Sequence, residues 1–201
     1  AYDSGRKVLE MPVVVGKEGT STTFFAGDIN QVVFSPFWNI PTSIVEKEIM
    51  PQVEKNPGYL AKKNMERVGE GRLRQRPGPD NPLGKVKFLF PNSFDIYLHD
   101  SPNKALFNQQ YRAASHGCIR VGNAEALANF ILRGQSEWTP EKVKTAMNAK
   151  EEKNEKVNSP VPVAITYYTT WVDEAGKLHT AKDVYGLDIK TAEQVFASAT
   201  R

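Results

Sequence analysis

Short runs in which apolar and polar residues alternate, broken by Gly, Pro and Asn, recur along this chain and predict strands. Lys7 to Val15 alternates loosely and closes on Gly16, and Asn30 to Phe34 is apolar and β-branched up to Ser35-Pro36. The clearest pattern predicts a hairpin. In Lys85 to Phe90 the residues Val86, Phe88 and Phe90 share a face, Pro91-Asn92 supplies a turn, and in Phe94 to His99 the residues Phe94, Ile96 and Leu98 share a face. Asp95, Tyr97 and His99 then fall on the opposite side, which takes His99 out of the apolar core. Val161 to Val172 predicts a long strand, Asp173 to Gly176 a turn, and Leu178 to Tyr185 the return. Ala1 to Lys7 reads as a hairpin tip, so the chain is expected to be a fragment of a longer protein.

Helical spacing appears in between. Thr42 can cap a helix through Ile44, Val45, Ile49 and Val53, with Pro51 expected to kink or split it and Asn56-Pro57-Gly58 to end it. Tyr59 to Asn64 adds a short helix. Residues 41 to 68 therefore form a helical insertion between β segments, serving as a brace or a lid. Gly69 to Gly84, rich in Gly and Pro, is expected to be a long loop. Asn123 caps a helix from Ala124 to about Leu132. Thr139-Pro140-Glu141 opens another towards Lys150, which fades into a solvated stretch from Glu151 to Lys156. Asp188 caps a terminal helix to about Ala199. By themselves the elements add up to a mixed, mostly antiparallel sheet domain.

Composition narrows the function. The 201 residues, 40% hydrophobic, suffice for one sizeable core with length left for an insertion. A net charge of +3 without a basic block gives nucleic-acid binding no support. No stretch approaches the length of apolar sequence that spans a membrane. The single cysteine, Cys118, forms no internal disulfide.

That cysteine carries the chemistry. It lies in Ser115-His116-Gly117-Cys118-Ile119-Arg120, with His99 fifteen intervening residues upstream of Ser115. A thiol becomes a nucleophile when an imidazole lowers its pKa or takes its proton. Placed on a loop running into a helix, it would also have backbone N–H groups nearby to stabilise an oxyanion, and Gly117 would let the backbone approach a substrate. His99, from another strand, is the better candidate base than His116, and Asp100 could orient it through its side chain or its carbonyl. Arg120 suits a substrate carboxylate. A buried structural thiol and a metal site of His99, His116 and Cys118 are the alternatives, although His-x-Cys lacks the usual zinc spacing.

The run Ser115-His116-Gly117-Cys118-Ile119-Arg120-Val121, with His99 upstream, resembles the signature of L,D-transpeptidase catalytic domains of the YkuD type. Met11 to Gly16, Pro77-Gly78-Pro79, Leu83 to Phe88, Pro91-Asn92, His99-Asp100 and Asp183 to Asp188 fit as well. The start of the insertion at Pro41-Thr42-Ser43-Ile44 is similar to the YcbB-like subgroup, whose catalytic domain carries a helical cap. The resemblance implies a β-rich α+β catalytic domain with a helical cap, belonging to a peptidoglycan enzyme facing the periplasm. Its cysteine takes the acyl group of diaminopimelate from a tetrapeptide stem, releases D-Ala, and passes the acyl group to a second diaminopimelate amine as a 3→3 cross-link. Carbapenems acylate the same cysteine. Carried onto this chain, Cys118 is the nucleophile and His99 the base, with Asp100 orienting it and His116, Gly117 and Cys118 shaping the oxyanion pocket. Arg120, Ser115 and Tyr111 are candidates for substrate contact, Ser115 having a structural alternative, and Trp38 is a further cleft or lid candidate. Many members carry Asn where this chain has Arg120. No cofactor or metal is expected. Hydrolysis of the same thioester by an L,D-carboxypeptidase or endopeptidase is the nearest alternative, and a non-catalytic peptidoglycan-binding module the more distant one.

Overall fold

The computed structural model describes residues 1–69 and 71–197. Its centre is a seven-stranded mixed sheet in the order Ala113–Ser115, Val13–Gly16, Ile119–Val121, Leu98–His99, Val86–Leu89, Phe25–Phe34, Lys153–Ile165. Two pairs are parallel, Ala113–Ser115 with Val13–Gly16 and Ile119–Val121 with Leu98–His99. The remaining pairs are antiparallel. The fold is the α+β class expected, a large mixed sheet with few helices.

One face of the sheet holds the main core. Val32, Phe34, Val86, Phe88, Leu98, Ile119 and Val121 project onto two helices, Ala124–Leu132 and Pro140–Met147. Both helices start as their sequences predict. The Asn123 side chain accepts from the Ala126 N–H at 3.0 Å, Thr139 Oγ1 accepts from the Lys142 N–H at 3.3 Å, and Pro140 occupies the first turn. The second helix ends at Met147, short of Lys150. Trp138, between the helices, stacks on Phe34 with ring centroids 4.9 Å apart.

Four expectations are corrected. The second strand of the predicted hairpin shrinks to Leu98–His99, because the Asn92 side chain winds residues 90–96 into a loop. Asn92 Oδ1 accepts from the N–H groups of Phe94 and Ile96, while Nδ2 donates to the carbonyls of Phe90 and Ile96. Phe94 is thereby left 50% exposed instead of joining the core face. Residues 153–156, read as solvated, form the start of the edge strand Lys153–Ile165. Their charges face water, as an edge strand requires. Asp188 does not cap the last helix, Leu187–Ala197. Asp183 does, accepting from the N–H groups of Leu187 and Asp188, and the expected end at Ala199 lies outside the described residues.

The insertion is the fourth correction. It is not helical throughout and the return is not an open loop, for Leu73–Gln75 is the middle strand of a three-stranded antiparallel sheet with Trp38–Asn39 and Met65–Arg67. Leu73 and Gln75 point inward and Arg74 outward to Glu66, an alternation too short to stand out among Gly69, Gly71 and Gly78. Thr42 does not cap its helix; Pro41 takes that position without a side-chain bond. Pro51 marks a change in the helix, as expected, lying in the first turn of Met50–Lys55. Val45–Ile49 forms a wide π-helical turn between Thr42–Ile44 and Met50–Lys55, closed by the Met50 N–H on the Val45 carbonyl. The insertion has its own small core of Ile40, Val45, Ile49 and Leu73, and Trp38 packs there. Asn81, fully buried, ties its two connections together by donating to the Pro36 and Arg76 carbonyls.

Candidate active site

Strand alternation builds the site on the sheet face opposite the main core. Arg120 pairs with His99 and Ile119 with Leu98 in the parallel ladder, and the Ile119 N–H donates to the Tyr97 carbonyl at 3.1 Å. Tyr97 and His99 therefore share a face with Cys118 and Arg120. Lys87, paired with His99 on the other side, lies on that face too, its Nζ 5.9 Å from the Tyr97 ring centre.

His99 is only 4% exposed, yet it is no part of the apolar core. Its Nδ1 lies 2.5 Å from the Asp100 carbonyl oxygen, and since a carbonyl can only accept, Nδ1 carries the proton and Nε2 is left as the acceptor. Burial pushes the pKa of His99 down to about 4, with the nearby Arg120 charge adding to the effect and the carbonyls of Asp100 and Leu83 opposing it. The ring is thus neutral at physiological pH.

Asp100 orients His99 through its backbone. Its carboxylate is engaged elsewhere, accepting from the Lys85 N–H at 2.9 Å and pairing with Lys104 at 2.5 Å. A side chain at Gly84 would strike that carboxylate, and the φ of +63° there also demands glycine.

Cys118 sits between the strands Ala113–Ser115 and Ile119–Val121, not on a loop entering a helix. It is half-buried, and its thiol points to the Asp95 carbonyl at 3.6 Å. Burial raises the pKa of Cys118, partly offset by hydrogen bonding to the Tyr97 hydroxyl and backbone and by the Arg120 charge. Tyr97 in turn is held well above the usual phenol range, first by burial and then by Cys118. The thiol is consequently protonated at neutral pH, and the sequence-based expectation of a lowered pKa is overturned by desolvation. Tyr97 was visible in the alternation as sharing the His99 face, but its meeting with Cys118 depends on the parallel register, which no local pattern announces.

The turn between the two strands is held rigidly. Ser115 Oγ donates to the Cys118 carbonyl at 2.6 Å and accepts from the Gly117 N–H at 3.2 Å. Buried and fully used in this way, Ser115 is a structural residue and not a substrate contact. The Gly117 N–H is likewise unavailable to an oxyanion. Gly117 has φ +119°, which requires glycine. Thr22, absent from the sequence-based candidates, donates to the Gly117 carbonyl at 2.8 Å and accepts from the Gly16 N–H at 2.9 Å. Tyr185 extends the chain of bonds by donating to the Gly16 carbonyl at 2.6 Å.

His116 turns away from the sheet. Its Nε2 lies 3.4 Å from Glu48 Oε1 in the π-helical turn of the insertion. Arg120 keeps its Nε buried without a partner among the described residues, a donor aimed at nothing in the protein. Tyr111 stands 49% exposed ahead of Ala113–Ser115, and no hydrogen bond or ring contact among the described residues joins it to Cys118, His99 or Arg120. Among those residues no group of three or more His, Cys, Asp or Glu is placed to hold a metal ion. A cavity of about 610 Å³ touches Asp100 and Lys104. No helix among the described residues is long and apolar enough to cross a membrane.

Comparison with known proteins agrees with this geometry. Residues 1–163 match the family model described as the L,D-transpeptidase catalytic domain, YkuD. The chain is also 32% identical, over 207 aligned residues, to a Haemophilus influenzae protein described as "Putative L,D-transpeptidase". The match covers 93% of this chain and 42% of that relative, so the chain spans under half of the relative's length.

Proposed function

The chain belongs to the family of YkuD L,D-transpeptidase catalytic domains, and on that premise we propose that it is a cysteine acyltransferase making 3→3 cross-links between peptidoglycan stem peptides in the cell envelope. The observation that carries this reading is a protonated thiol sharing a sheet face with a buried, neutral imidazole whose Nδ1–H is pinned. Such a pair does not store a thiolate. It moves a proton only when the sulfur attacks.

In the first half-reaction the Cys118 sulfur attacks the carbonyl of the donor's third residue while its proton passes to His99 Nε2. The C–N bond to D-Ala breaks, His99 gives the proton to the departing amine, and a thioester remains. In the second, the amine of another diaminopimelate attacks the thioester, the C–S bond breaks, and a nitrogen proton returns through His99 to the sulfur. The oxyanion role falls to the backbone N–H groups of His116 and Cys118, since that of Gly117 is taken by Ser115. The unpartnered Arg120 donor, with Lys87 on the same face, receives a donor carboxylate. The insertion, placed where the YcbB-like subgroup carries its cap, acts as the lid over this face.

Incubation with a carbapenem followed by intact mass measurement tests the reading. An adduct on Cys118 that forms far more slowly in His99→Ala is expected. No adduct on the unaltered chain, or equal rates in both, overturns it. Muropeptide analysis then scores cross-linked dimer against trimmed tripeptide.

A further inference from the structure

An ammonium group that becomes an amide N–H gives up two protons. One returns to the sulfur, and the other must reach water. His99 suits the first transfer and not the second, because it is 4% exposed and its Nδ1 is committed to a carbonyl. We propose that Glu48 and His116 together form the acceptor-amine site, binding the incoming ammonium and carrying its first proton to solvent. The proposal rests on the acyl-transfer reading above and deepens it.

Three observations converge. First, the imidazole and carboxylate are 3.4 Å apart with side chains 47% and 54% exposed, so a proton taken there is next to water. Second, both residues are held by their backbones. His116 lies on the turn fixed by Ser115 and Thr22, two residues from the nucleophile. Glu48 projects from the π-helical turn because its neighbours Val45 and Ile49 are buried in the insertion's core. Third, the charges around Cys118 are polarised. The sheet side carries Arg120 and Lys87, which attract a carboxylate, repel an ammonium and outnumber the Asp95 carboxylate near the thiol, whereas the insertion side presents Glu48. Donor and acceptor are thus sorted by charge to opposite sides of one sulfur.

The step balances. The ammonium pairs with the Glu48 carboxylate, and His116 takes one proton, leaving a free amine and an imidazolium held by Glu48. The nitrogen lone pair attacks the thioester carbonyl, forming the C–N bond. The tetrahedral adduct collapses with C–S cleavage, the second nitrogen proton passing through His99 to the Cys118 sulfur. His116 then releases its proton to water.

The test uses a tetrapeptide stem as donor and a stem peptide with a free side-chain amine as acceptor. D-Ala release and the ratio of cross-linked to hydrolysed product are read over a range of acceptor concentrations. Glu48→Gln is expected to raise the KM for the acceptor and lower the ratio by about tenfold each, the effect of one lost charged hydrogen bond. Glu48→Asp should restore most of the ratio, and Glu46→Gln, a neighbouring exposed carboxylate, should leave it as it was. An unchanged ratio in Glu48→Gln, or an equal loss in Glu46→Gln, overturns the site. An unaltered chain that releases no D-Ala instead overturns the acyl-transfer reading and this site with it. One that releases D-Ala but cross-links no amine overturns the cross-linking reading and the acceptor site together, whereas a cross-linking chain indifferent to Glu48→Gln overturns the site alone.

Discussion

His99 and His116 both precede one thiol in the sequence, yet the first is 4% exposed on the sheet while the side chain of the second is 47% exposed and turned to the insertion. The sheet wall is built from paired strands, buried polar groups and hydrogen bonds to backbone. The insertion rim belongs to a separate small core and meets the turn before Cys118 at the half-exposed Glu48–His116 contact. The difference separates two tasks. Proton transfer to and from sulfur needs a ring that rests neutral in one tautomer, and burial with the Asp100 carbonyl supplies that. Admitting a second substrate needs a surface that exchanges protons and molecules with water, and a rim carried on its own core can adjust to what arrives.

Substitutions on the two sides should show this asymmetry most strongly in the acylation half-reaction. Cys118→Ala abolishes the carbapenem adduct, and His99→Ala slows its formation by about a thousandfold, the scale of a lost general base. Glu48→Gln costs far less in this step, because no acceptor takes part in it. Time-resolved intact mass gives all three rates. A Glu48→Gln loss as large as that of His99→Ala would break the division between wall and rim.

The sheet wall also predicts a pH dependence of stability. The pKa of His99 falls from 6.5 to about 4 on folding, so between those values the unfolded chain binds a proton that the folded chain refuses. Stability is therefore full above pH 6.5, declines as pH falls towards 4, and levels off below. The loss from this group is roughly 3 kcal/mol. Urea unfolding across this range should show a slope that His99→Gln removes. A slope that survives the substitution would assign it to other groups.

The same division explains what the sequence could tell. The α+β class, the two capped helices, the pairing of Val86–Leu89 with His99 and the run around Cys118 were all legible, because each rests on local periodicity or a short motif. The engagement of the Asp100 carboxylate, the closure of Ser115 on its own turn and the meeting of Tyr97 with Cys118 were not. These depend on register and on which donor arrives first. Leu73–Gln75 escaped because three alternating residues among glycines carry too little signal, and the partner of Glu48 is set by how two cores sit against each other. Sequence periodicity reports faces of elements, and site chemistry is decided by what those faces meet.

Asn81 offers a way to disturb the seam between the two regions. Its amide donates at 2.9 Å to Pro36 and 3.2 Å to Arg76, and its Oδ1 accepts from the Leu83 N–H. Asn81→Ala leaves those buried groups unpaired, and a loss of about 2 kcal/mol is expected. Hydrogen exchange should quicken first in Trp38–Asn39 and Leu73–Gln75, while Val86–Leu89 stays protected. Uniform loosening of both sheets would mean that the insertion does not behave as a separate unit.

The smallest expected effect is the most discriminating. The Glu48–His116 pair is half-exposed on both sides, and such pairs add little to stability, so Glu48→Gln should change unfolding free energy by less than about 0.5 kcal/mol. The same substitution is expected to shift partition between transfer and hydrolysis tenfold, as argued above from one charged hydrogen bond. A residue that mattered by propping the insertion against the sheet would move both quantities together. Raising the salt concentration separates the cases further, since screening weakens attraction of an ammonium to an exposed carboxylate while leaving the buried sheet wall nearly untouched. Acceptor KM in the unaltered chain should therefore rise with salt and converge on that of Glu48→Gln. A KM indifferent to salt would remove the electrostatic basis for sorting donor from acceptor.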